Sequence, residues 1–197
     1  MPRVRLTLTA DGLELAYSHG VFPMASSSGS RVTWHRPDPR AIIPVGRMHV
    51  SRSLARVIRR RVFEVRVNTA FEDVMRACAD RPEGTWISEA FVVAYGELHR
   101  QGKAHSVETW RNGSLVGGVY GVALGGAFMA ESMFHRETNA SKVALAALMG
   151  RLSERGFILM DVQYLTPHLV SLGAVEVPAY VYEAVLSDAL ALERSFA

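Results

Sequence analysis

The pattern of apolar and polar positions is clearest in the second half of the chain, where it predicts a mixed α/β sheet. Residues 105–111 and 115–124 are predicted to form a β-hairpin, because the Asn112-Gly113 dipeptide between them favours a tight turn. The later segments are a third strand over 127–134, a helix over 141–155, a buried strand over 157–164 and an amphipathic helix over 178–190. The order hairpin, strand, helix, strand, helix is typical of a mixed sheet.

The first half of the chain shows a weaker pattern and shorter elements. Pro37-Asp38-Pro39-Arg40 indicates a rigid turn, because each proline fixes its own φ and biases the preceding residue away from helix. Thr69-Ala70-Phe71-Glu72 matches a capping box, which predicts a helix to about Ala79. The other expected elements are a short strand over 4–9, one or two helical turns over 13–19, a flexible loop over 25–30, a basic helix over 51–61, a strand over 62–68 and a helix over 86–100.

The composition limits the class of protein. With 197 residues, 49% of them hydrophobic, the chain can bury a sizeable core as one large domain or two small ones, which excludes a disordered protein. Cys78 is the only cysteine and the seven histidines have no metal-ligand spacing, so we expect neither a disulfide scaffold nor a metal site. No apolar run approaches the roughly 20 residues of a membrane span, and residues 1–5 lack a secretory signal's apolar stretch. We therefore expect a cytoplasmic protein.

Arginine supplies almost all of the positive charge. The net charge is +3, and lysine occurs only at positions 103 and 142. The basic residues of the helix predicted over 51–61 recur at helical spacing: Arg52, Arg56, Arg59 and Arg60. Such a stripe fits the phosphate backbone of a nucleic acid, whereas the alternative is a solvated helix face. The sequence leaves both interpretations open.

Three polar side chains interrupt apolar strands. Asp161 and Gln163 are two residues apart, so they are expected to share one face near the C-terminal end of their strand, where α/β sheets place ligands. A carboxylate in such a run needs a partner, which could be a ligand or a neighbouring loop. By the same period of two, Glu131 is expected on the face of Met129 and Met133, where it could hold a cation or pair with a core arginine.

The segment 135–141 joins a strand to a helix and contains no glycine. A CoA-dependent N-acetyltransferase of similar architecture would want glycines there, where backbone N–H groups at the helix N-terminus cradle the pyrophosphate. Gly117, Gly118 and Gly121 lie within a predicted strand and not before a helix, so they do not form a phosphate loop.

Motifs along most of the chain match one family in order and spacing. They are Gly20-Val21-Phe22-Pro23, Pro37-Asp38-Pro39-Arg40, His49-Val50-Ser51-Arg52-Ser53, Gly84-Thr85-Trp86-Ile87, Ala104-His105-Ser106-Val107-Glu108, residues 116–122, Glu131-Ser132-Met133-Phe134, Asn139-Ala140-Ser141-Lys142 and Ser171-Leu172-Gly173-Ala174. The chain resembles the leucyl/phenylalanyl-tRNA–protein transferases. The resemblance implies a small N-terminal domain, 1–48, and an acyltransferase domain with a GNAT-like fold, 49–197. It also implies transfer of Leu or Phe from aminoacyl-tRNA to proteins that begin with Arg or Lys, which creates an N-degron.

The resemblance also implies roles for individual residues, and no cofactor, since aminoacyl-tRNA is a co-substrate. Asp161 and Gln163 look like the catalytic pair, and Glu131 looks like the acid that meets the acceptor's basic N-terminus. The implied walls of the aminoacyl pocket are Val119, Phe128, Met133, Leu145, Leu148 and Leu152. The implied contacts of the tRNA 3′ end and acceptor stem are Tyr17, Met24, Trp86, Arg52, Arg56, Arg59 and Arg60.

Two other functions remain open from the sequence. One is a CoA-dependent N-acetyltransferase of the same fold class, against which the glycine-free segment 135–141 argues. The other is a non-catalytic tRNA-binding module, which leaves the shared face of Asp161 and Gln163 unexplained.

Overall fold

The computed structural model describes residues 6–25, 31–82 and 84–197. The helices are α1 (Ala10–Ser18), α2 (Arg52–Arg59), α3 (Phe71–Ala79), α4 (Glu89–Arg100), α5 (Ala140–Glu154), α6 (Pro167–Ser171) and α7 (Ala179–Leu190). The strands are β1 (Phe22–Ala25), β2 (Val32–His35), β3 (Arg40–Ile42), β4 (Glu64–Val67), β5 (Ala104–Arg111), β6 (Ser114–Leu124), β7 (Ala127–His135), β8 (Leu159–Gln163) and β9 (Val175–Val177).

Seven strands form one mixed sheet in the order β4-β5-β6-β7-β8-β3-β9, and β1 pairs with β2 in a separate hairpin. Neighbours in the large sheet are antiparallel, except that β7 and β8 run parallel and are joined through α5. The turn between β5 and β6 has positive φ angles at Asn112 and Gly113, as a two-residue type I′ hairpin requires. The predicted mixed α/β fold is confirmed.

Helices cover both faces of the large sheet. One face packs against α1, α3, α4 and α7 through residues such as Leu13, Phe91 and Leu186, and the other packs against α5 through residues such as Leu148. The N-terminal turn of α5 lies directly on β6, because Gly117 has no side chain: a Cβ there would come within 2.6 Å of the Ala140 Cβ. The strand glycine therefore serves close packing of helix on sheet.

The short elements of the first half depart most from the sequence predictions. The strand expected over 4–9 is wrong for residues 6–9, because Thr9 instead caps α1 and its hydroxyl accepts the Gly12 N–H at 3.2 Å. The helix expected from residue 86 begins at Glu89, and β1, β2, β3, β9 and α6 were not predicted as elements. Residues 4–5 of that strand and residues 26–30 of the predicted loop lie outside the described residues.

The capping box at residues 69–72 is a second correction. The first residue of α3 follows Ala70, which has no side chain able to cap the helix. The Thr69 hydroxyl instead donates to the buried Glu108 carboxylate on β5 at 3.0 Å. The partner of Thr69 is thus a strand residue distant in sequence, which no local motif could reveal.

The expected division of the chain at residue 48 stays a prediction. Within residues 1–48, α1 packs into the core against α4, and β3 pairs with both β8 and β9 of the large sheet. β3 thereby brings a segment from the start of the chain next to β8, on which two of the candidate site residues lie.

Candidate active site

A pocket of about 280 Å³ opens where β7 and β8 separate. The two strands pair only from Ala127–Met129 on β7 and Leu159–Asp161 on β8, so the residues that follow on each strand line the gap. One part of the lining is apolar and consists of Phe22, Met24, Trp86, Val119, Met133 and Leu145. The polar part includes Glu131, Gln163, Arg81, Ser132, Thr166 and His168.

A β-bulge turns Glu131 into this pocket. In the pairing of β6 with β7, Tyr120 lies opposite Ser132 and Gly121 lies opposite Ala130, which leaves Glu131 as the extra residue. The expectation that Glu131 shares a face with Met129 and Met133 is therefore wrong. Met129 is buried on one face of the sheet, whereas Met133 packs on the other.

Glu131 is half-buried and surrounded by hydrogen-bond donors. The Tyr95 hydroxyl donates to Oε2 at 3.3 Å, the Gln163 amide Nε2 donates to Oε1 at 3.1 Å, and the Tyr17 hydroxyl is hydrogen-bonded to that of Tyr95. Burial raises the pKa of Glu131 to about 8, although its hydrogen bond to Tyr95 and the charge of Arg40 act in the opposite direction. Glu131 therefore holds its proton more strongly near neutral pH than an exposed glutamate does.

Asp161 lies beneath the pocket and is fully buried. Arg40 donates to both of its oxygens, at 2.9 Å from Nε to Oδ1 and 2.5 Å from Nη2 to Oδ2. The Tyr182 hydroxyl donates to Oδ2 at 2.8 Å and the backbone N–H of Gln163 donates to Oδ1 at 2.9 Å. A buried carboxylate with these partners is fixed in place, and it touches the pocket only through Gln163.

Gln163 ends β8 with a left-handed backbone conformation, φ 61°. This conformation is costly for a residue with a side chain, so its surroundings must hold it. The hydrogen bond from its N–H to Asp161 does so, and it turns the amide side chain toward Glu131. The amide oxygen accepts no hydrogen bond from the described residues and is available to a ligand in the pocket.

The structure brings some of the other predicted site residues together and separates the rest. Met24, Trp86, Val119, Met133 and Leu145 line the pocket. The remaining apolar residues predicted for it lie in the core and do not line it: Phe128, Leu148 and Leu152. Tyr17 is 1% exposed and reaches no surface on which a tRNA stem could lie, so the structure places it in the hydrogen-bonded group around Glu131.

The arginine stripe is on an exposed helix face beyond the pocket. The predicted positions are all exposed on α2 or its C-cap: Arg52, Arg56, Arg59 and Arg60. No ion pair within the described parts of the chain involves them. Leu54, on the opposite face of α2, packs against Ala140 and Val143 of α5. The stripe therefore remains free for an anionic partner.

Sequence reasoning missed the residues that build the floor of the site. Arg40, Tyr95 and Tyr182 have no local signal, because each acquires its role from a partner more than 20 residues away in sequence. For Arg40 the only hint was the rigid Pro-Asp-Pro turn before it. Arg81 and His168, which line the pocket, were also not singled out.

Neither a metal cluster nor a membrane helix is found in the described residues. No three or more His, Cys, Asp or Glu side chains are grouped as a metal ion would need within 6–25, 31–82 and 84–197. No helix in these ranges combines the length and the apolar character needed to cross a bilayer.

Comparison with known proteins gives a consistent result. The sequence profile of the family described as leucyl/phenylalanyl-tRNA protein transferase matches residues 42–187, and the profile of that family's N-terminal domain matches residues 7–38. A leucyl/phenylalanyl-tRNA–protein transferase of Gloeobacter violaceus is 52% identical over 97% of this chain and 98% of its own length. One of Rubrobacter xylanophilus is 53% identical over 98% and 100%. Among solved structures, a GCN5-related N-acetyltransferase-like protein of Streptococcus suis covers 85% of this chain and 64% of its own, with 16% identity and a TM-score of 0.40.

Proposed function

Because the chain belongs to the leucyl/phenylalanyl-tRNA protein transferase family, we propose that it transfers Leu or Phe from aminoacyl-tRNA to the N-terminal Arg or Lys of acceptor proteins. The observation that carries the proposal is one pocket in which an apolar wall meets the Glu131–Gln163 pair. The wall suits the side chain of the donor amino acid, and the pair suits a cationic acceptor. The product carries an N-degron, and the proposed location is the cytoplasm.

The proposed reaction is aminolysis of an ester. The α-amine of the acceptor attacks the ester carbonyl carbon, a C–N bond forms, and the bond to the ribose oxygen of the tRNA breaks. The amine loses a proton, and the leaving oxygen gains one. An α-amine has a pKa of about 7.7–8.0, so a usable neutral fraction exists at pH 7 and no strong base is needed. The ester supplies the free energy, so no cofactor is required.

Within this reaction the protein mainly positions its two substrates. The free amide oxygen of Gln163 accepts a hydrogen bond from the attacking amine, and the buried Asp161 fixes Gln163 through its backbone N–H. Holding two reactants in the correct geometry can remove roughly 7–11 kcal/mol from a barrier in favourable cases. Glu131 binds the cationic side chain of the acceptor, whose positive charge favours the ionised carboxylate.

A transfer assay tests the proposed function. Labelled Leu-tRNA or Phe-tRNA is incubated with the protein and with peptides that differ only in an N-terminal Arg, Lys, Asp or Ala. We expect both amino acids to be transferred, and only to the Arg and Lys peptides. Transfer of acetyl groups from acetyl-CoA would favour a CoA-dependent N-acetyltransferase. Binding of tRNA without transfer to any peptide would favour a non-catalytic tRNA-binding module.

The arginine stripe on α2 is the proposed contact with the acceptor stem. Arg56→Glu is expected to weaken tRNA binding and to lower the slope of log affinity against log salt concentration by about 1 or more, since fewer counterions are released. The control is Arg155→Glu, which makes the same charge change. Arg155 is exposed and follows the C-terminal end of α5, whereas α2 packs near the N-terminal end of that helix. If the slope of log affinity against log salt concentration is the same in the two variants, α2 does not contact the tRNA and is a solvated helix.

A further inference from the structure

Three basic side chains lie near one another, and one of them lines the pocket. His168 lines the pocket at the start of α6, Lys142 lies in the first turn of α5, and His135 ends β7. Within the described ranges, no carboxylate forms an ion pair with any of the three. Burial, and then the charges of Lys142 and His135, lower the pKa of His168, which favours its neutral form. Lys142 is therefore the cation of this group that could attract an anion.

This group lies between the pocket and the arginine helix. Leu145 lines the pocket, and Lys142 precedes it by one helical turn on the same side of α5. On another side of that turn, Ala140 packs against Leu54 of α2. The start of α2 is also tied to α6, because the His49 N–H donates to the Leu172 carbonyl at 2.9 Å. The two elements that carry Lys142 and His168, α5 and α6, thus connect the pocket lining to the arginine helix.

We propose that Lys142, with His168 beside it, binds a backbone phosphate of the single-stranded 3′ end of the donor tRNA, next to the terminal nucleoside. This inference rests on the proposed function and extends it. An ammonium group serves phosphate as a compact point charge, without the fixed geometry that arginine demands. The phosphate contact sets how deep the terminal nucleoside enters the pocket, and so where the ester lies relative to Gln163.

The contrast between the chain's two lysines supports a binding role for Lys142. Lys103 donates to Glu14 at 2.6 Å, so the charge of Lys103 is paired within the fold. Lys142 is half-buried and makes no hydrogen bond or ion pair with the described residues. A phosphate would give this ammonium group a charged hydrogen-bond acceptor, which the described residues do not supply.

The test compares two donors that differ in phosphate. One is adenosine esterified with Leu, which has no phosphate, and the other is a CCA trinucleotide esterified with Leu at its 3′ end. Both are used with one N-terminal Arg peptide. We expect Lys142→Gln to lower kcat/KM for the trinucleotide about tenfold and to leave the adenosine ester within about twofold of wild type. Lys142→Arg retains most of the activity with the trinucleotide.

The matched control is Lys103→Gln, which removes the other lysine and should lower neither rate selectively. Equal losses on both donors in Lys142→Gln would overturn the inference, because a structural defect does not distinguish them. If Lys142→Gln lowers kcat/KM only for acceptor peptides with an acidic second residue, Lys142 contacts the acceptor peptide and the phosphate contact is overturned. Binding of a non-reactive CCA oligonucleotide, measured by fluorescence anisotropy, separates the phosphate site from the proposed transferase function. If Lys142→Gln weakens this binding but the protein transfers no amino acid, the phosphate site is supported and the proposed function is not. If Lys142→Gln leaves the binding unchanged, the phosphate site is overturned.

Discussion

Gln163→Ala is expected to reduce the single-turnover rate of transfer about 100-fold while the affinity for Leu-tRNA stays near that of wild type. The substitution removes the amide oxygen that meets the attacking amine, but it leaves the apolar wall and the arginine stripe intact. The rate is measured with labelled Leu-tRNA bound to excess enzyme and a saturating Arg peptide, so that neither substrate binding nor product release limits it.

The chain contains one other glutamine, which makes a matched control. Gln101 is the exposed C-cap residue of α4, and Gln101→Ala is expected to transfer at the wild-type rate. An unchanged single-turnover rate in Gln163→Ala would refute its assignment as the residue that receives the amine.

Variants of Asp161 or Arg40 are a less direct test of the same step. Their ion pair is buried, and removal of one partner from such a pair typically costs about 3–5 kcal/mol of stability because the other charge is left uncompensated. A loss of activity there mixes unfolding with misplacement of Gln163. Gln163 itself has no ionic partner, so its substitution separates the chemistry from the fold.

The sequence predicted the long elements of the fold and not the short ones. The ends of β5 to β8, α5 and α7 were predicted to within two residues, because the pattern of apolar positions in these long segments is local. β3 and β9 have only three residues each, too few for any period to appear. They form because β8 offers β3 an edge to pair with, and β3 in turn offers one to β9. Such pairing depends on the assembled sheet and not on local pattern.

The candidate site shows the same limit. The sequence singled out Asp161, Gln163 and Glu131, since a polar residue inside an apolar strand is a local signal. Their actual arrangement depends on a bulge at Glu131 and on a left-handed backbone at Gln163, and both interrupt the period of two on which the prediction relied. For Arg40 the turn before it is the only local hint, and it does not identify the carboxylate partner, which is 121 residues further along the chain.

Glu131→Gln is expected to abolish most of the preference for a basic over a neutral N-terminus. A hydrogen bond to a charged group contributes about 1.5–3 kcal/mol, so the ratio of kcat/KM for an Arg peptide to that for an Ala peptide should fall by about 10- to 100-fold. The glutamine side chain has nearly the same shape and can still hydrogen-bond to Gln163 and Tyr95, so the pocket itself should be preserved.

The pH dependence of the Arg-to-Ala ratio of kcat/KM tests whether the ionised Glu131 carboxylate causes the preference for a basic N-terminus. The pKa of Glu131 in the empty pocket is raised to about 8, so the carboxyl group is mostly protonated at pH 6 and must lose its proton to pair with the acceptor's cation. The wild-type Arg-to-Ala ratio should therefore rise with pH up to about 8 and level off above it, whereas the ratio in Glu131→Gln should stay flat. Titration of the attacking α-amine affects both peptides equally and cancels in the ratio. A wild-type ratio that does not change between pH 6 and 9, or one that Glu131→Gln leaves intact, would contradict the role of Glu131 as the group that binds the acceptor's charge.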